Sequence, residues 1–128
     1  HNGRRRQRQM CIRDSNKLVA GALNWINCNF QKGIFAADVA KAFNVTQQGL
    51  QKAFNDHYIR TPGQEIRYRR AKAVANLLEC TDVTLNEIAK NCGYYSVDTL
   101  ISGFKAVYNQ TPGRYRQHIT KEIGLDII

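Results

Sequence analysis

The side chains best suited to chemistry in this 128-residue sequence are amides and cations rather than nucleophiles. Between Thr46 and Tyr58, setting aside the apolar stripe Leu50, Ala53, Phe54 and Tyr58 leaves Gln47, Gln48, Gln51, Lys52 and Asn55 facing outward. A glutamine or asparagine amide places a donor beside an acceptor and can bond adenine N6 and N7 together, while lysine can reach guanine O6 and N7 or a phosphate. The alternative is a polar face that is simply solvated. His57 and His118 have no Ser, Cys or carboxylate constellation around them, so no catalytic group is expected. Cys11, Cys28, Cys80 and Cys92 form no C-x-x-C pair and have no histidine at a zinc-ligand spacing. No metal, disulfide framework or cofactor is therefore expected. Cys28 and Cys92 lie in apolar patterns, where a reduced, buried thiol behaves as a small hydrophobe.

The elements that must position the amide face follow from an internal duplication. Leu50, Phe54, Tyr58, Thr61, Pro62 and Gly63 recur as Leu100, Phe104, Tyr108, Thr111, Pro112 and Gly113, at an offset of 50. Val39-Ala40-Lys41 recurs as Ile88-Ala89-Lys90 at an offset of 49, so the second copy holds one extra residue near Tyr94-Tyr95. Each copy reads as helix, tight turn, helix. Thr84 to Glu87 has the form of a capping box, opening a helix with Leu85, Ile88 and Ala89 inward. Gly93 supplies the left-handed residue that ends it. Ser96 caps the next helix, whose Leu100, Phe104, Val107 and Tyr108 form a stripe. In the first copy Val39, Ala40 and Phe43 face inward and Asn44 takes the left-handed turn position. Thr46 caps the helix after it, and Phe35, where Thr84 stands later, makes the poorer opening cap. Thr61-Pro62 and Thr111-Pro112 each place a hydroxyl before Pro at a first helical position. The first of these opens a helix to about Cys80, with Ile66, Ala73, Val74, Leu77 and Leu78 apolar and Arg67, Arg69, Arg70 and Lys72 outside. The second opens a short helix through Tyr115 and Ile119. Residues 17–30 form the first helix of the chain, with Val19, Ala22, Leu23, Ile26 and Phe30 as its stripe, Trp25 packing, and Gly33 stopping it. The expected fold is all-α, about seven helices in two helix-turn-helix subdomains joined by a long linker helix.

Charge agrees with a polyanionic partner. Lys and Arg number 19 against 10 Asp and Glu, for a net charge of +9 and a pI near 9.7. Nucleic acid is the first candidate and anionic lipid the second. No apolar run approaches the ~18 residues of a spanning helix, and residues 1–15 hold no signal-peptide core. That segment carries Arg4, Arg5, Arg6, Arg8 and Arg13, which would suit a minor-groove arm or an idle tail. A third reading is preferred, because Arg5 to Ser15 matches one reading frame of a common transposase-end sequencing adapter. Residues 1–15 are expected to be non-native, adapter-derived and disordered. Without them 14 basic and 9 acidic residues remain, or +5. The expected organisation is then 16–61 and 81–121 as helix-turn-helix subdomains, 62–80 as linker helix and 122–128 as tail.

A short helix, a Gly or Asn turn and a longer second helix make helix-turn-helix geometry. A helix from Pro62 to Cys80 would be about 28 Å long at about 1.5 Å per residue. Successive major-groove faces repeat about every 34 Å. Such a spacer can present two recognition helices, 46–57 and 96–108, to adjacent groove segments of one duplex.

Residues 17–120 resemble the DNA-binding domain of the AraC/XylS family of bacterial transcription regulators. The resemblance rests on Ile88-Ala89-x-x-x-Gly93-Tyr94, then Phe104-Lys105, then Thr111-Pro112-x-x-Tyr115-Arg116. Asn109 departs from a common glycine and Leu100 from a frequent aromatic. The resemblance implies sequence-specific binding of double-stranded DNA and transcription regulation, with base contacts at Gln48, Gln51 and Lys52. The outward-face reading adds Gln47 and Asn55. In the second helix the corresponding positions are Val97, Asp98, Thr99 and Ser102, where Val97 or Thr99 could meet a thymine methyl and Asp98 could accept from cytosine N4. Backbone anchoring is expected from Thr46, Ser96, Lys105, Arg114 and Arg116, with some of Arg67, Arg69 and Arg70, whose alternative is a solvated basic face. Gly49 either admits the DNA backbone closely or is drift. The first helix is expected to carry most direct readout and the second to position the complex. Contact with RNA polymerase, a cytoplasmic, nucleoid-associated location, and an effector bound by an absent N-terminal domain are further expectations, with no membrane partner. The competing readings are the DNA-binding part of a methyl-accepting DNA repair protein, which would need a cysteine-rich zinc module upstream, and a helical protein-interaction domain.

Overall fold

A computed structural model describes residues 12–127, and among these are seven α-helices, one 3-10 turn and no strand. The helices are α1 (Ile12–Asn29), α2 (Ala36–Ala42), α3 (Gln47–His57), α4 (Pro62–Cys80), α5 (Leu85–Cys92), α6 (Val97–Tyr108) and α7 (Pro112–Ile127). The 3-10 turn, Phe30–Lys32, follows α1. No helix is long and apolar enough to cross a membrane among the described residues.

Two ends differ from expectation. Helix α1 begins at Ile12, so residues 12–15, expected to be disordered, form its first turn. No breaker separates them from Lys17, and Asp14 stands in the first turn, where a negative charge complements the helix dipole. The rest of the adapter-like segment, including Cys11 and Arg4 to Arg8, lies outside the described residues. At the other end α7 continues to Ile127, past the short helix and tail expected there, through a stretch with no proline to stop it.

Contacts divide the chain into two compact units. The first comprises α1 and residues Phe35–Glu65, and buries Val19, Ala22 and Ile26 against Val39 and Ala40 of α2 and Leu50, Ala53 and Phe54 of α3. The second comprises Phe30–Ile34 and the chain from Ile66 onward. Its core joins Ala71, Val74, Ala75 and Leu78 of α4 to Ile88, Ala89 and Cys92 of α5 and Leu100 and Phe104 of α6. Residues 30–34 group here because Arg70 donates from Nε to the Phe30 carbonyl (3.0 Å) and from Nη2 to that of Ile34 (2.8 Å). Arg70, expected on a solvated face, is thus half-buried, and burial lowers its pKa. Cys92 is buried as expected, whereas Cys28 is exposed, because it falls on the outer side of the α1 stripe.

The helix ends follow local chemistry. The Thr46, Thr84 and Ser96 hydroxyls accept from the backbone N–H groups of Gly49, Glu87 and Thr99. Thr61 and Gln64 cap each other reciprocally at 3.2 and 2.9 Å. Phe35 has no capping atom, and its own N–H is taken instead by the Asp38 carboxylate at 2.8 Å. Asn44, Gly93 and Asn109 are left-handed, with φ of 56°, 87° and 60°. A Cβ on Gly93 would also lie 2.7 Å from the Phe30 carbonyl oxygen.

Gly93→Ala should therefore destabilise the protein by more than about 1 kcal/mol in urea unfolding, from the left-handed backbone alone. Asn44→Gly, which relieves a side chain in that region, should change it by less than about 1 kcal/mol. A second expectation concerns alkali. Burial pushes the Cys92 thiol from 9.0 up to about 11. Burial, aided by Cys92, pushes the Tyr94 hydroxyl from 10.0 up to about 12. The folded chain keeps these protons at pH values where the unfolded chain has lost them, so stability falls as pH rises. For Cys92 the fall begins near pH 9 and is complete above about 11. Thermal unfolding across that range should show it, and Cys92→Ala should flatten the part between 9 and 11.

Candidate nucleic-acid interface

Helix α3 leaves the turn at Asn44 with Thr46 as its cap, and Leu50, Ala53 and Phe54 face the core. Gln47, Gln48, Gln51, Lys52 and Asn55 are all exposed on the side away from it. Gln47 and Gln51 share a recess of about 200 Å³ with Thr61, Pro62 and Gly63 at the start of α4. Two amides thus line one recess beside the capped first turn of α4. The Lys52 ammonium lies 3.6 Å from Asp56, and both side chains are mostly exposed. An exposed i,i+4 pair of this kind is weak, so the ammonium can exchange it for another acceptor. Gly49 has a third explanation besides DNA approach and drift. Its N–H donates to Thr46 Oγ1 at 2.9 Å, and a Cβ there would lie 3.1 Å from that same oxygen.

Helix α6 presents a different surface. Asp98, Thr99 and Ser102 are exposed and Val97 is half-buried. The Thr99 hydroxyl donates to the Ser96 carbonyl at 2.8 Å and accepts the Ser96 N–H at 3.0 Å, closing a reciprocal cap. Its methyl group remains for apolar contact. Ile101, at the place Gln51 holds in α3, packs against the core instead. Gly103 admits the Tyr94 ring, whose Cε1 would stand 3.1 Å from an added Cβ.

The cations expected to hold a backbone separate into two groups. Lys105, Arg114 and Arg67 are exposed. Arg116 is half-buried, with Nη1 on the Val83 carbonyl and Nη2 on that of Thr81, both at 3.0 Å. Its guanidinium closes the stretch between α4 and α5 rather than facing outward. Lys72 lies 5.5 Å from the centre of the Tyr68 ring. Sequence reasoning passed over Tyr95, which is 98% exposed immediately before the Ser96 cap. The signal available was the extra residue of the second copy, which falls at Tyr94-Tyr95. Among the described residues no group of His, Cys, Asp and Glu is arranged to hold a metal ion.

A family model described as a helix-turn-helix domain matches residues 39–118, taking in both copies. The chain belongs to the AraC/XylS family. Its members are DNA-binding transcription regulators rather than enzymes. The chain is 32% identical over 111 residues to the xylose operon regulatory protein of Escherichia coli K12, covering 87% of this chain and 28% of that one. It therefore spans little more than a quarter of that relative's length. Among solved structures, the C-terminal domain of AraT, a response regulator from Geobacillus stearothermophilus, superposes with a TM-score of 0.76 at 24% identity, over 79% of this chain and 84% of that one. The DNA-binding domain of AdpA, solved in complex with a target DNA, does so at 0.71 and 21%, over 84% and 94%. At those identities the likeness bears on the fold, which is that of AraC-type DNA-binding domains.

The two arginines near the start of α7 should separate cleanly. Arg116→Ala leaves two carbonyls without their donor and should lower unfolding stability by about 1–3 kcal/mol. Arg114→Ala should leave stability within about 0.5 kcal/mol and weaken binding to duplex DNA. Urea unfolding and a duplex titration on both variants check this.

Proposed function

We propose that this AraC/XylS domain reads a specific duplex sequence chiefly through α3, with Gln47, Gln48, Gln51, Lys52 and Asn55 as its base-contacting residues. The observation that carries the reading is the run of exposed amides and one lysine on the outward face of a capped helix-turn-helix second helix. Amides read adenine and lysine reads guanine by their hydrogen-bond patterns in the major groove. On α6, Val97, Asp98, Thr99 and Ser102 are fewer in free donors, and this helix mainly places the complex through apolar and shape contacts. Thr46 and Ser96 serve the phosphates through the helix N-termini they organise, joined by Lys105 and Arg114. Arg116 acts from within, by holding the start of α5. The two helices address adjacent major-groove segments of one duplex, as the duplication of the whole unit supports.

The regulator acts in the cytoplasm on the nucleoid, contacts RNA polymerase through a face away from DNA, and takes its effector on a separate N-terminal domain. The last point is supported by the share of the xylose operon regulator that this chain does not span.

Selection from random duplexes should return a bipartite site, its halves separated by about one helical turn. On that site Gln51→Ala should lose about 1–3 kcal/mol and relax base preference under α3. Thr99→Ala should lose less discrimination, and the reverse order would overturn the ranking of the two helices. Affinity should fall steeply with salt as counterions return to the DNA. An affinity flat in salt would favour a protein-interaction domain instead.

A further inference from the structure

We propose that Glu65 is a positioning residue for base reading: with Tyr58 and Arg60 it locks the C-terminal end of α3 to the first turn of α4. The proposal rests on α3 being the principal reader.

Glu65 is fully buried, the charged residue of which this is true among the described residues. A carboxylate taken from water must be hydrogen-bonded and paired, or burial is strongly unfavourable. Here Tyr58 Oη donates to Oε1 at 3.0 Å and Arg60 Nη1 donates to the same oxygen at 3.0 Å. Arg60 Nη1 also lies 3.3 Å from Tyr58 Oη, and its guanidinium carbon is 5.8 Å from the centre of the Tyr58 ring. Tyr58 is the residue that closes α3: its N–H bonds to the Phe54 carbonyl, and its ring meets the fully buried Phe54 ring edge-on at 5.8 Å. Glu65 belongs to the first turn of α4, its N–H bonded to the Thr61 carbonyl at 2.9 Å. The network therefore runs from the last turn of the reading helix, across the connector, into the next helix.

The second copy shows that the fold does not require a buried carboxylate there. Fifty residues on, the places of Tyr58, Arg60 and Glu65 are held by Tyr108, Gln110 and Tyr115. That corner is closed by rings, Phe104 stacking on Tyr108 at 4.6 Å and Tyr115 meeting both edge-on at 5.3 and 5.4 Å, while the Tyr115 hydroxyl donates to the exposed Glu79 carboxylate of α4 at 2.6 Å. Burying an ion pair is generally no more stabilising than packing rings in its place. What the buried network adds is direction at the connector, since two hydrogen bonds converge on one oxygen and each holds only within a narrow range of distance and angle. A helix that reads bases through bidentate amides needs its direction fixed. The second helix, which has no bidentate amide on its face, has the ring-closed corner.

The test is to transplant the second corner into the first, as Arg60→Gln with Glu65→Tyr, and to make Tyr58→Phe, which removes one hydroxyl. Both go into the whole chain, which is assayed by competition on the selected duplex and on a panel of single base-pair changes under each helix, alongside urea unfolding. The expected result is a folded protein whose mismatch penalties under α3 shrink by about ten-fold while those under α6 and the salt slope stay as in the parent. A loss of stability without that selective change would show Glu65 to be structural only and would overturn the proposal. Should the double variant not fold, Tyr58→Phe decides alone: unchanged discrimination under α3 overturns the proposal. Gln51→Ala separates the two readings. If it relaxes discrimination and the corner variants do not, the Glu65 proposal falls alone. If Gln51→Ala changes nothing, α3 is not the reader and both fall.

Discussion

One helix can hand the chain to another at a steep angle only if some residue between them leaves the right-handed region of backbone space. Asn44 and Gly93 do this, and the rest of each unit depends on it. With φ at 87°, Gly93 turns the chain so that Tyr94 N–H returns to the Ala89 carbonyl and Ser96 can cap the next helix. The same turn brings the backbone of Phe30 and Gln31 to within 2.8 Å of where a Cβ would stand. The packing that positions the outer face of α6 therefore presupposes a residue without a side chain at this point. In the first unit no such approach accompanies Asn44, and a side chain is carried there in the same conformation.

Net charge overstates what the molecule offers to a polyanion. Arg70 and Arg116 spend their guanidinium groups on four backbone carbonyls, two each. Arg60 is held at a buried carboxylate. Arg70 and Arg116 replace water at carbonyls left open between elements, where an unpartnered acceptor would be costly. The cations left outward are mostly lysines, Lys32, Lys41, Lys52, Lys72, Lys90 and Lys105 among them, with Arg67 and Arg114 beside them. Such cations can hold phosphates but carry no sequence information, so discrimination must come from side chains aimed at base edges.

Caps and turns were legible in the sequence because their causes are local. Thr46, Thr84, Ser96, Thr61 and Thr111 act on an N–H three residues away, and a left-handed Asn or Gly announces itself by type. The core stripes were legible from periodicity, and the exposed face of α3 as their complement. Partner choice across the chain was not. Arg70 finds carbonyls 40 and 36 residues away, and Arg116 finds its own 35 and 33 away, distances at which neither spacing nor charge pattern speaks. Cys28 was misplaced because a thiol in an apolar run can fall on either side of the stripe. Glu65 was passed over for a different reason: a glutamate in a first helical turn reads as solvated, and its burial depends on Tyr58 and Arg60, seven and five residues away, folding back over it.

Duplication supplies an internal control on which positions are architectural. Of the paired residues that repeat, Leu50 with Leu100, Phe54 with Phe104 and Pro62 with Pro112 are buried in both units. The outward positions of α3 do not repeat: Gln47, Gln48, Gln51 and Lys52 become Val97, Asp98, Ile101 and Ser102. Were the amides of α3 needed for helix packing, their counterparts would resemble them as the leucines and phenylalanines do. Ile101 instead turns inward to the core, and the Thr99 hydroxyl is absorbed by its own cap. A shared scaffold thus carries two faces of unlike chemistry. The physical demand that differs between them lies outside the unit, in what each face meets.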